Sequence, residues 1–584
     1  MNIIIKRFAI VIMFLIASIY IFNIAPDYEL NYKYKEGDIR VIFNDTEITR
    51  NLSKLPQTAI LVEDEVMLSQ DTVDILFDKN LYYEDKYETI ITTSKEHRAD
   101  LKLNSKNIKI DEHNKNLKVP PIEVKYSYKE DNRYDETDSN KRNKTEEIIY
   151  IPIKALEEVY NMTVEFNDKI IITENNANRI RIVVAEGDSI EIKHAKDSLS
   201  KNIEVVEAGN YIDIYDYDLT KEFILVRSYT GELGYVNNEE FVSYSMTPTT
   251  TEKEEQPNEK VNIAWDYIGP DATTIGEKAN RMKNKGLNVV APTLLYLRNT
   301  QGDIKYNSNL VSSYINWAEK NDYKVWITLK NEYADKHFSL DETSEFLNDM
   351  NHRAKAIDEM IEVVKKYEIE GINVDIELIY QQDATAFSQF IRELGVKCRQ
   401  NDIVLSVCAN VPDGSPTWSL CYQHKALSEA ADYLAIMTYD QYGASSKVAG
   451  PNASLEWVET NIEKIVNRDK VESNKVLLGI PFYSRLWKSG NSGVKASTLF
   501  MKDAKEYLNK DTKAIWLEEA GQYFYENSQG TVQIWIEENE SITKKLQLIE
   551  EYGLGGSAYW MLGYETADIW DTIQKNTYNW SADG

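Results

Sequence analysis

Short apolar runs alternate with amphipathic helical segments throughout the second half of the chain. Continuous apolar runs are typical of parallel strands buried on both faces, and the segments between them are long enough for helical crossovers. The pattern predicts an α/β fold for residues 261–580, a (β/α)8 TIM barrel. The stretch Leu486–Gly553 exceeds one crossover and predicts an insertion between strands 7 and 8. The eight runs are Val261–Asp266, Leu287–Pro292, Lys324–Leu329, Gly371–Glu377, Ile403–Ala409, Tyr433–Tyr439, Val476–Pro481 and Gly555–Met561.

The first half of the chain is rich in short strands separated by polar turns. Met67–Thr93 and Tyr150–Thr173 share one order of features: the end of a strand, a short amphipathic helix and two more strands. This weak internal repeat predicts a small β-rich α+β domain at residues 30–176. Residues 177–246 predict a second small domain, a β-barrel with a hairpin around Gly231–Val236.

Two further stretches are strongly polar and poor in apolar residues. Ser127–Glu147 is dense in charge and predicts a disordered loop inside the first domain. Residues 247–260 are rich in Thr, Pro and Glu, which is typical of a linker. The linker separates the β-rich first half from the predicted barrel.

Residues 1–29 contain an 18-residue stretch without a charge, Phe8–Ala25, preceded by Lys6 and Arg7. Its length suits a membrane span better than a cleaved signal core, and no A-x-A-like cleavage site follows it. A retained membrane anchor is therefore favoured over a cleaved signal peptide, with a buried core helix as the third alternative. An anchor or a signal would send the rest of the chain outside the cytoplasm, so an extracytoplasmic location is expected.

Charge and the rarer residue types narrow the possible functions. The formal net charge is −29, which disfavours binding to the phosphate backbone of a nucleic acid. The three cysteines, Cys398, Cys408 and Cys421, have no C-x-x-C spacing, and the six histidines form no H-E-x-x-H motif. We therefore expect neither a disulfide framework nor a metal site.

The end of the fourth predicted strand carries the strongest candidate chemistry. Alternation along a strand places Asn373, Asp375 and Glu377 on one face, while the residues between them are apolar. Two carboxylates side by side in a barrel interior raise the pKa of one of them, which suits a general acid. A solvated acidic strand end is the structural alternative.

This segment, Glu370–Glu377, resembles the D-x-x-D-x-D-x-E signature of glycoside hydrolase family 18, the family of chitinases and related peptidoglycan hydrolases. The resemblance implies that Glu377 is the general acid and base and that Asp375 is its carboxylate partner. Glu370 and Asn373 depart from the first two aspartates of the signature. Spore-cortex glucosaminidases related to chitinases often differ similarly, so the Asn373 change is taken as subgroup character.

Other predicted strand ends resemble motifs of the same family. The sixth ends in Tyr439-Asp440, and the resemblance implies that the tyrosine holds the substrate acetamide while the aspartate lines the site. The seventh carries Tyr483 and Arg485, which are expected to face the cleft. The eighth ends in Trp560, which is expected to form an apolar floor under the sugar. Asn373, on the fourth strand, and Trp265 and Asp266, at the end of the first, complete the expected substrate-binding residues.

The resemblance implies an exported hydrolase of β-1,4 linkages in glycans that contain N-acetylglucosamine, with peptidoglycan, including spore cortex, ahead of chitin. The implied mechanism is substrate-assisted and retaining and needs no cofactor and no metal. A non-catalytic, lectin-like binding protein on the same barrel and a membrane-tethered scaffold are the alternatives. Retention of Glu377 favours the enzyme, because such lectins usually lose the acid.

The two N-terminal domains also resemble known modules. The repeat region resembles the small repeat named after the N-terminal domain of copper amine oxidases, a name that implies no copper chemistry here. Gly231–Val236 resembles the last hairpin of a bacterial Src-homology-3-type barrel. That module often binds cell-wall peptide, and a purely structural spacer is the alternative. Cell-wall peptide through this domain and the membrane through residues 1–29 are therefore the further expected partners.

Overall fold

The chain divides into two compact units, residues 1–255 and 256–584. The computed structural model describes most of both units. The described residues are 39–44, 46–48, 58–77, 81–129, 143–166, 169–175, 179–215, 221–241, 244, 260–333, 336–491, 493–508 and 514–577. The predicted anchor at residues 1–29 and all but the last residue of the predicted linker lie outside them. No helix within those ranges is both long enough and apolar enough to span a membrane.

Among the residues described up to Asn175, the first unit contains two α-helices and thirteen strands, and the strands form three sheets. With the strands numbered in chain order, neighbouring strands in the three sheets follow the orders β12-β13-β1-β2, β10-β11-β4-β3 and β5-β6-β7-β8-β9. The strands are β1 (Arg40–Phe43), β2 (Thr46–Glu47), β3 (Ala59–Val62), β4 (Glu65–Ser69), β5 (Tyr82–Glu84), β6 (Thr89–Thr93), β7 (Arg98–Lys102), β8 (Asn107–Ile110), β9 (His113–Asn116), β10 (Ile122–Lys129), β11 (Asn143–Pro152), β12 (Met162–Phe166) and β13 (Lys169–Glu174). The helices are α1 (Gln70–Leu76) and α2 (Ile153–Val159).

The predicted internal repeat is visible in this order of elements. The first copy runs β4-α1-β5-β6 and the second runs β11-α2-β12-β13. Strands β4 and β11 pair with each other in antiparallel register, so the two copies share a sheet. The predicted disordered loop Ser127–Glu147 is too wide, because β10 continues to Lys129 and β11 begins at Asn143. These ends pair residue by residue, and the rest of the loop lies outside the described residues.

The remainder of the first unit is a six-stranded antiparallel sheet. Its order is β14-β17-β18-β19-β15-β16. The predicted hairpin joins β18 to β19, and Gly231 occupies its turn with a φ of +85°, a conformation that favours glycine. The domain's relationship to Src-homology-3 barrels stays a prediction. The strands are β14 (Ile180–Val183), β15 (Ser189–Lys193), β16 (Asn202–Glu207), β17 (Tyr211–Ile214), β18 (Phe223–Ser228) and β19 (Leu233–Asn237).

The second unit contains a closed barrel of eight parallel strands, which confirms the predicted TIM-type fold. The strands follow one another around the barrel in chain order, and the last pairs with the first. The barrel strands are β20 (Val261–Asp266), β21 (Val289–Leu297), β23 (Lys324–Lys330), β26 (Gly371–Asp375), β27 (Val404–Asn410), β28 (Tyr433–Met437), β29 (Val476–Pro481) and β35 (Gly556–Trp560). Short accessory strands are β22 (Ile304–Lys305), β24 (Glu332–Tyr333) and β25 (Lys336–His337).

Helices cover the outside of the barrel. They begin at capping residues such as Asn307, Ser339 and Asp349, whose side chains accept hydrogen bonds from the first turn. The first crossover differs from the prediction, because its described helix is a single 3-10 turn at Gly276–Asn280. The α-helices are α3 (Ser308–Lys320), α4 (Leu340–Leu347), α5 (Met350–Lys366), α6 (Ala384–Arg399), α7 (His424–Ala430), α8 (Leu455–Glu463), α9 (Met501–Ala504), α10 (Asn539–Glu551) and α11 (Ile569–Thr577).

The insertion expected between barrel strands 7 and 8 is a five-stranded antiparallel sheet in the order β31-β30-β34-β33-β32. Where it returns to the barrel, the fully buried side chains of Glu537 and Lys545 form an ion pair at 3.0 Å. Gln522 and Ser541 donate further hydrogen bonds to Glu537. The strands are β30 (Tyr483–Gly490), β31 (Gly493–Phe500), β32 (Ile515–Leu517), β33 (Gln522–Glu526) and β34 (Val532–Ile536).

Candidate active site

The three polar residues predicted at the end of the fourth barrel strand lie at increasing height in the barrel. Asn373 is fully buried, Asp375 is 2% exposed, and Glu377 is partly exposed beyond the last strand residue. The strand ends at Asp375, and Leu378 has a φ of +57°, so the backbone turns immediately after Glu377. Burial of Asn373 and Asp375 argues against a solvated acidic strand end.

Asn373 forms a hydrogen-bonded floor beneath the carboxylates. Its Oδ1 accepts from the Trp265 indole at 3.0 Å and from the Thr328 hydroxyl at 3.2 Å. Its Nδ2 donates to the Ser406 hydroxyl at 2.6 Å. Because Asn373 is fully buried, it supports the site from below, and its expected contact with substrate stays a prediction.

Asp375 is paired with a lysine from the neighbouring strand. Lys330 ends β23, and its Nζ lies 2.9 Å from Asp375 Oδ2 in a buried ion pair. The other carboxylate oxygen, Oδ1, is buried and has no hydrogen-bond partner among the described residues. A buried, unpaired acceptor is costly, so this oxygen is placed to receive a donor from a bound molecule.

The main chain of Glu377 is clamped by Asn331. The Asn331 amide donates to the Glu377 carbonyl at 2.6 Å, and its oxygen accepts from the Glu377 N–H at 3.1 Å. Tyr422 donates to the carbonyl of Ile376 at 3.0 Å. Burial and the adjacent charge of Asp375 raise the pKa of Glu377 to about 7. A carboxyl group with that pKa is protonated often enough near neutral pH to act as an acid.

A second cluster lies beside the carboxylates. Tyr439 and Asp440 follow the sixth barrel strand, whereas Tyr483 and Arg485, expected on the seventh, lie on β30, the first strand of the insertion. Asp440, with a φ of +60°, accepts hydrogen bonds through Oδ1 from the Tyr483 hydroxyl at 2.8 Å and from the Arg485 guanidinium. Arg485 also donates to Thr498 at 3.0 Å. Tyr439 lies with its ring centre 6.3 Å from that of Tyr483. Tyr483 and Arg485 are almost buried, so they hold Asp440 in place, while Asp440 keeps a third of its side chain exposed.

Trp560 forms part of an apolar surface at the end of the eighth strand. Its indole is partly exposed, and its ring centre lies 5.8 Å from that of Trp265. The ammonium of Lys330 lies 5.7 Å from the centre of the Trp560 ring. An exposed indole face beside the carboxylates suits the apolar face of a sugar ring.

Trp265 and Asp266 were expected to bind substrate, and the structure gives them another role. Trp265 is 1% exposed and lies among the apolar side chains inside the barrel. Asp266 is fully buried in a network with Lys278, Arg281 and the Tyr314 hydroxyl, which donates at 3.0 Å. Lys278 lies on the 3-10 turn that covers the end of the first strand, so both residues are enclosed here, and a contact of either with substrate stays a prediction.

Sequence reasoning missed Lys330 and Asn331. Both follow the apolar run of the third strand, and parallel strands bring their carboxyl ends to one rim of a barrel. The polar residues directly after that run were the available signal, although no motif marks them. Within the described ranges, no group of three or more His, Cys, Asp or Glu residues is arranged to hold a metal ion.

The arrangement combines an acid with a fixed carboxylate on the same side of the rim. Glu377 can donate a proton, and Asp375 offers a free oxygen two residues away. The aromatic surface of Trp560 and the polar group of Asp440 flank them. These features suit acid-catalysed cleavage of a bond in a ligand that stacks on an aromatic ring and donates to a carboxylate.

Comparisons with known proteins agree with this chemistry. Residues 338–565 match the profile of glycosyl hydrolases family 18. The uncharacterized glycosylase YvbX of Bacillus subtilis (strain 168) is 26% identical over 276 residues, covering 45% of this chain and 78% of that protein. The cortical fragment-lytic enzyme of Bacillus anthracis is 26% identical over 253 residues, covering 41% of this chain and only 57% of that protein.

Solved structures give a similar comparison. The crystal structure of a chitinase from Chromobacterium violaceum ATCC 12472 is 23% identical, with a TM-score of 0.47. The match covers 54% of this chain and 98% of that chain. The two sequence matches and the structural match each cover only part of the present chain.

Proposed function

We propose that the C-terminal unit, a glycosidase with a glycosyl hydrolase family 18 domain, cleaves β-1,4 linkages in glycans that contain N-acetylglucosamine. The proposal rests above all on one observation. A carboxyl group with a pKa of about 7, Glu377, stands beside an ion-paired carboxylate, Asp375, that keeps one buried oxygen without a partner among the described residues. The first group can protonate a leaving oxygen, and the second can accept from an amide N–H.

Glu377 is the general acid. It protonates the glycosidic oxygen as the bond to the anomeric carbon breaks, and its carboxylate then takes a proton from the attacking water. Asn331 supports both steps, because it fixes the main chain of Glu377 at both the N–H and the carbonyl. General acid–base catalysis of this kind contributes about 10²–10⁴-fold.

In the proposed mechanism Asp375 is not the nucleophile. It is two residues from Glu377 on the same rim, whereas a double-displacement glycosidase has its carboxylates about 5–5.5 Å apart across the scissile bond. The nucleophile is instead the carbonyl oxygen of the substrate's own 2-acetamido group, which forms an oxazolinium ion with retention of configuration. Asp375 Oδ1 accepts from the acetamide N–H and offsets the positive charge.

The remaining residues position the sugar. Tyr439 orients the acetamide carbonyl, and Asp440, held by Tyr483 and Arg485, hydrogen-bonds the substrate at the opposite side. Trp560 provides an apolar floor next to the carboxylates. No organic cofactor or metal takes part in the proposed reaction.

The substrate that we propose is peptidoglycan, including spore cortex, ahead of chitin. The B. anthracis relative is named as a cortical fragment-lytic enzyme, which supports this choice. The uncharged segment Phe8–Ala25 supports an extracytoplasmic location, anchored or secreted. A wall-peptide ligand for the six-stranded domain at residues 180–241 is part of the same proposal.

The test compares wild-type protein with two carboxamide variants on purified cortex peptidoglycan and on chitin oligosaccharides. We expect new reducing ends from wild type and at least a hundredfold loss in Glu377→Gln. Glu370→Gln is the matched control, because Glu370 precedes the same strand and its carboxylate accepts from the Val325 N–H at the opposite end of the barrel. Wild-type rates in Glu377→Gln would remove the assignment of the acid. Release from neither substrate by wild type would instead favour a glycan-binding protein.

A further inference from the structure

Lys330 is a buried cation at the centre of the candidate site. Its side chain is 8% exposed, and it ends β23, directly beside the end of β26 that carries Asp375. Its ammonium contacts Asp375 Oδ2 at 2.9 Å and lies over the Trp560 ring. Burial works against the charge of this lysine, but attraction by Asp375 and Glu377 outweighs burial and raises the pKa of Lys330 above its usual value.

Asp375 has no oppositely charged partner on its own strand, β26. The preceding polar residue on the same face is Asn373, and both polar atoms of its amide are engaged by Trp265, Thr328 and Ser406. Asp375 therefore has its charged partner on the adjacent strand. That contact occupies Oδ2 and leaves Oδ1 as the free oxygen.

We propose that Lys330 is a positioning residue of the active site: it fixes the rotamer of Asp375 so that Oδ1 faces the substrate, and it sets the upper pH limit of Glu377 as an acid. The proposal rests on the function proposed above and adds a residue to it. An ammonium at this place performs two tasks at once, because it lies near both carboxylates.

The effect on Glu377 depends on all the groups that face it. Asp375 raises the pKa of Glu377, as do Asp440 and Glu332, whereas Lys330 lowers it. Two weaker acids, Cys408 and Tyr422, lie within electrostatic reach and stay neutral because burial raises the pKa of each. The positive charge of Lys330 opposes the effect of these three carboxylates on Glu377. Its removal should therefore raise the pKa of Glu377 further.

Three variants separate the two tasks. Lys330→Met removes both the charge and the hydrogen bond, whereas Lys330→Gln removes the charge and keeps an amide donor. Lys278→Met is the matched control, because it breaks another Lys–Asp contact outside the site, between the partly exposed Lys278 and the buried Asp266. Activity on an aryl β-chitobioside is measured as kcat and KM from pH 5 to 9.

We expect the alkaline limb of kcat/KM to move up by about one pH unit in both Lys330 variants and to stay in place in Lys278→Met. We expect kcat at pH 6 to fall about 10²-fold in Lys330→Met, less in Lys330→Gln, with a smaller change in KM. An unchanged limb, or the same shift in Lys278→Met, would overturn the proposal.

A second measurement works without any substrate. The difference in melting temperature between each protein and its Glu377→Gln derivative, followed against pH, reports the titration of Glu377. In the Lys330→Met background, the pH at which this difference develops fully should move up by about one unit. If that pH is the same in both backgrounds, the role of Lys330 is refuted. This holds even if the enzyme proves inactive on every glycan, so the result separates this inference from the proposed function.

Discussion

Replacing Glu377 by glutamine should stabilise the barrel above neutral pH and leave its stability in acid unchanged. Burial and the charge of Asp375 raise the pKa of Glu377 from 4.5 to about 7. Below pH 4 this carboxyl is protonated in both the folded and the unfolded chain, so it contributes no difference. Between pH 4.5 and 7 the unfolded chain releases the proton while the folded chain keeps it, and the free energy of unfolding falls as the pH rises.

The size of the effect follows from the shift. The pKa of Glu377 is about 2.5 higher in the folded chain than in the unfolded chain, which lowers the free energy of unfolding by about 3 kcal/mol. This loss is complete above pH 7. Glutamine has nearly the same shape and does not ionise, so Glu377→Gln should gain about that free energy at pH 8. For a unit of roughly 320 residues, this corresponds to a rise of about 4–5 °C in melting temperature.

Scanning calorimetry of the full chain, at pH 4 and at pH 8, measures the difference directly. Glu370→Gln is again the control, because it removes a carboxylate at the other end of the same strand. The reasoning predicts coincident melting of wild type and Glu377→Gln in acid and separation at pH 8. It would be refuted by a difference that does not change with pH, or by a less stable Glu377→Gln variant at pH 8.

Three other outcomes are expected. The kcat/KM of wild type on an aryl β-chitobioside should fall as the pH rises through about 7, because Glu377 must be protonated to act; a flat profile up to pH 9 would contradict this. Trp560→Ala, made in the Glu377→Gln background, should weaken chitooligosaccharide binding in calorimetry by about 1–3 kcal/mol, and an unchanged Kd would exclude Trp560 as the sugar floor. Lys545→Met should lower the free energy of unfolding by about 3–5 kcal/mol in denaturant titrations, because it leaves Glu537 buried without its cation. Lys505→Met, the control, breaks an exposed ion pair and should lower it by less than about 1 kcal/mol.

The barrel was predictable because its strands are buried on both faces. Most of the strands therefore appear in the sequence as nearly continuous apolar runs, and the observed strand Val476–Pro481 has the predicted bounds. Strand ends were less predictable. The fourth run was expected to continue to Glu377 and the sixth to Tyr439, but the strands end at Asp375 and Met437, where the backbone turns toward the rim.

The candidate site was predictable where its residues belong to one strand. Asp375 and Glu377 could be placed together because alternation fixes the face of each residue. Lys330 could not, since its contact with Asp375 depends on the register between two strands 45 residues apart in sequence. The burial of Asp266 could not be predicted either, because it depends on a loop that brings Lys278 and Arg281 over the end of the strand.

The most direct test of the proposed mechanism compares two aryl glycosides that differ only at carbon 2. A β-chitobioside carries the 2-acetamido group, and the matched β-cellobioside carries a hydroxyl. If the substrate's amide is the nucleophile, wild-type protein hydrolyses the first, with the β-configured product appearing first, and leaves the second intact. Comparable hydrolysis of the cellobioside would contradict the account, because it would require a nucleophile from the protein.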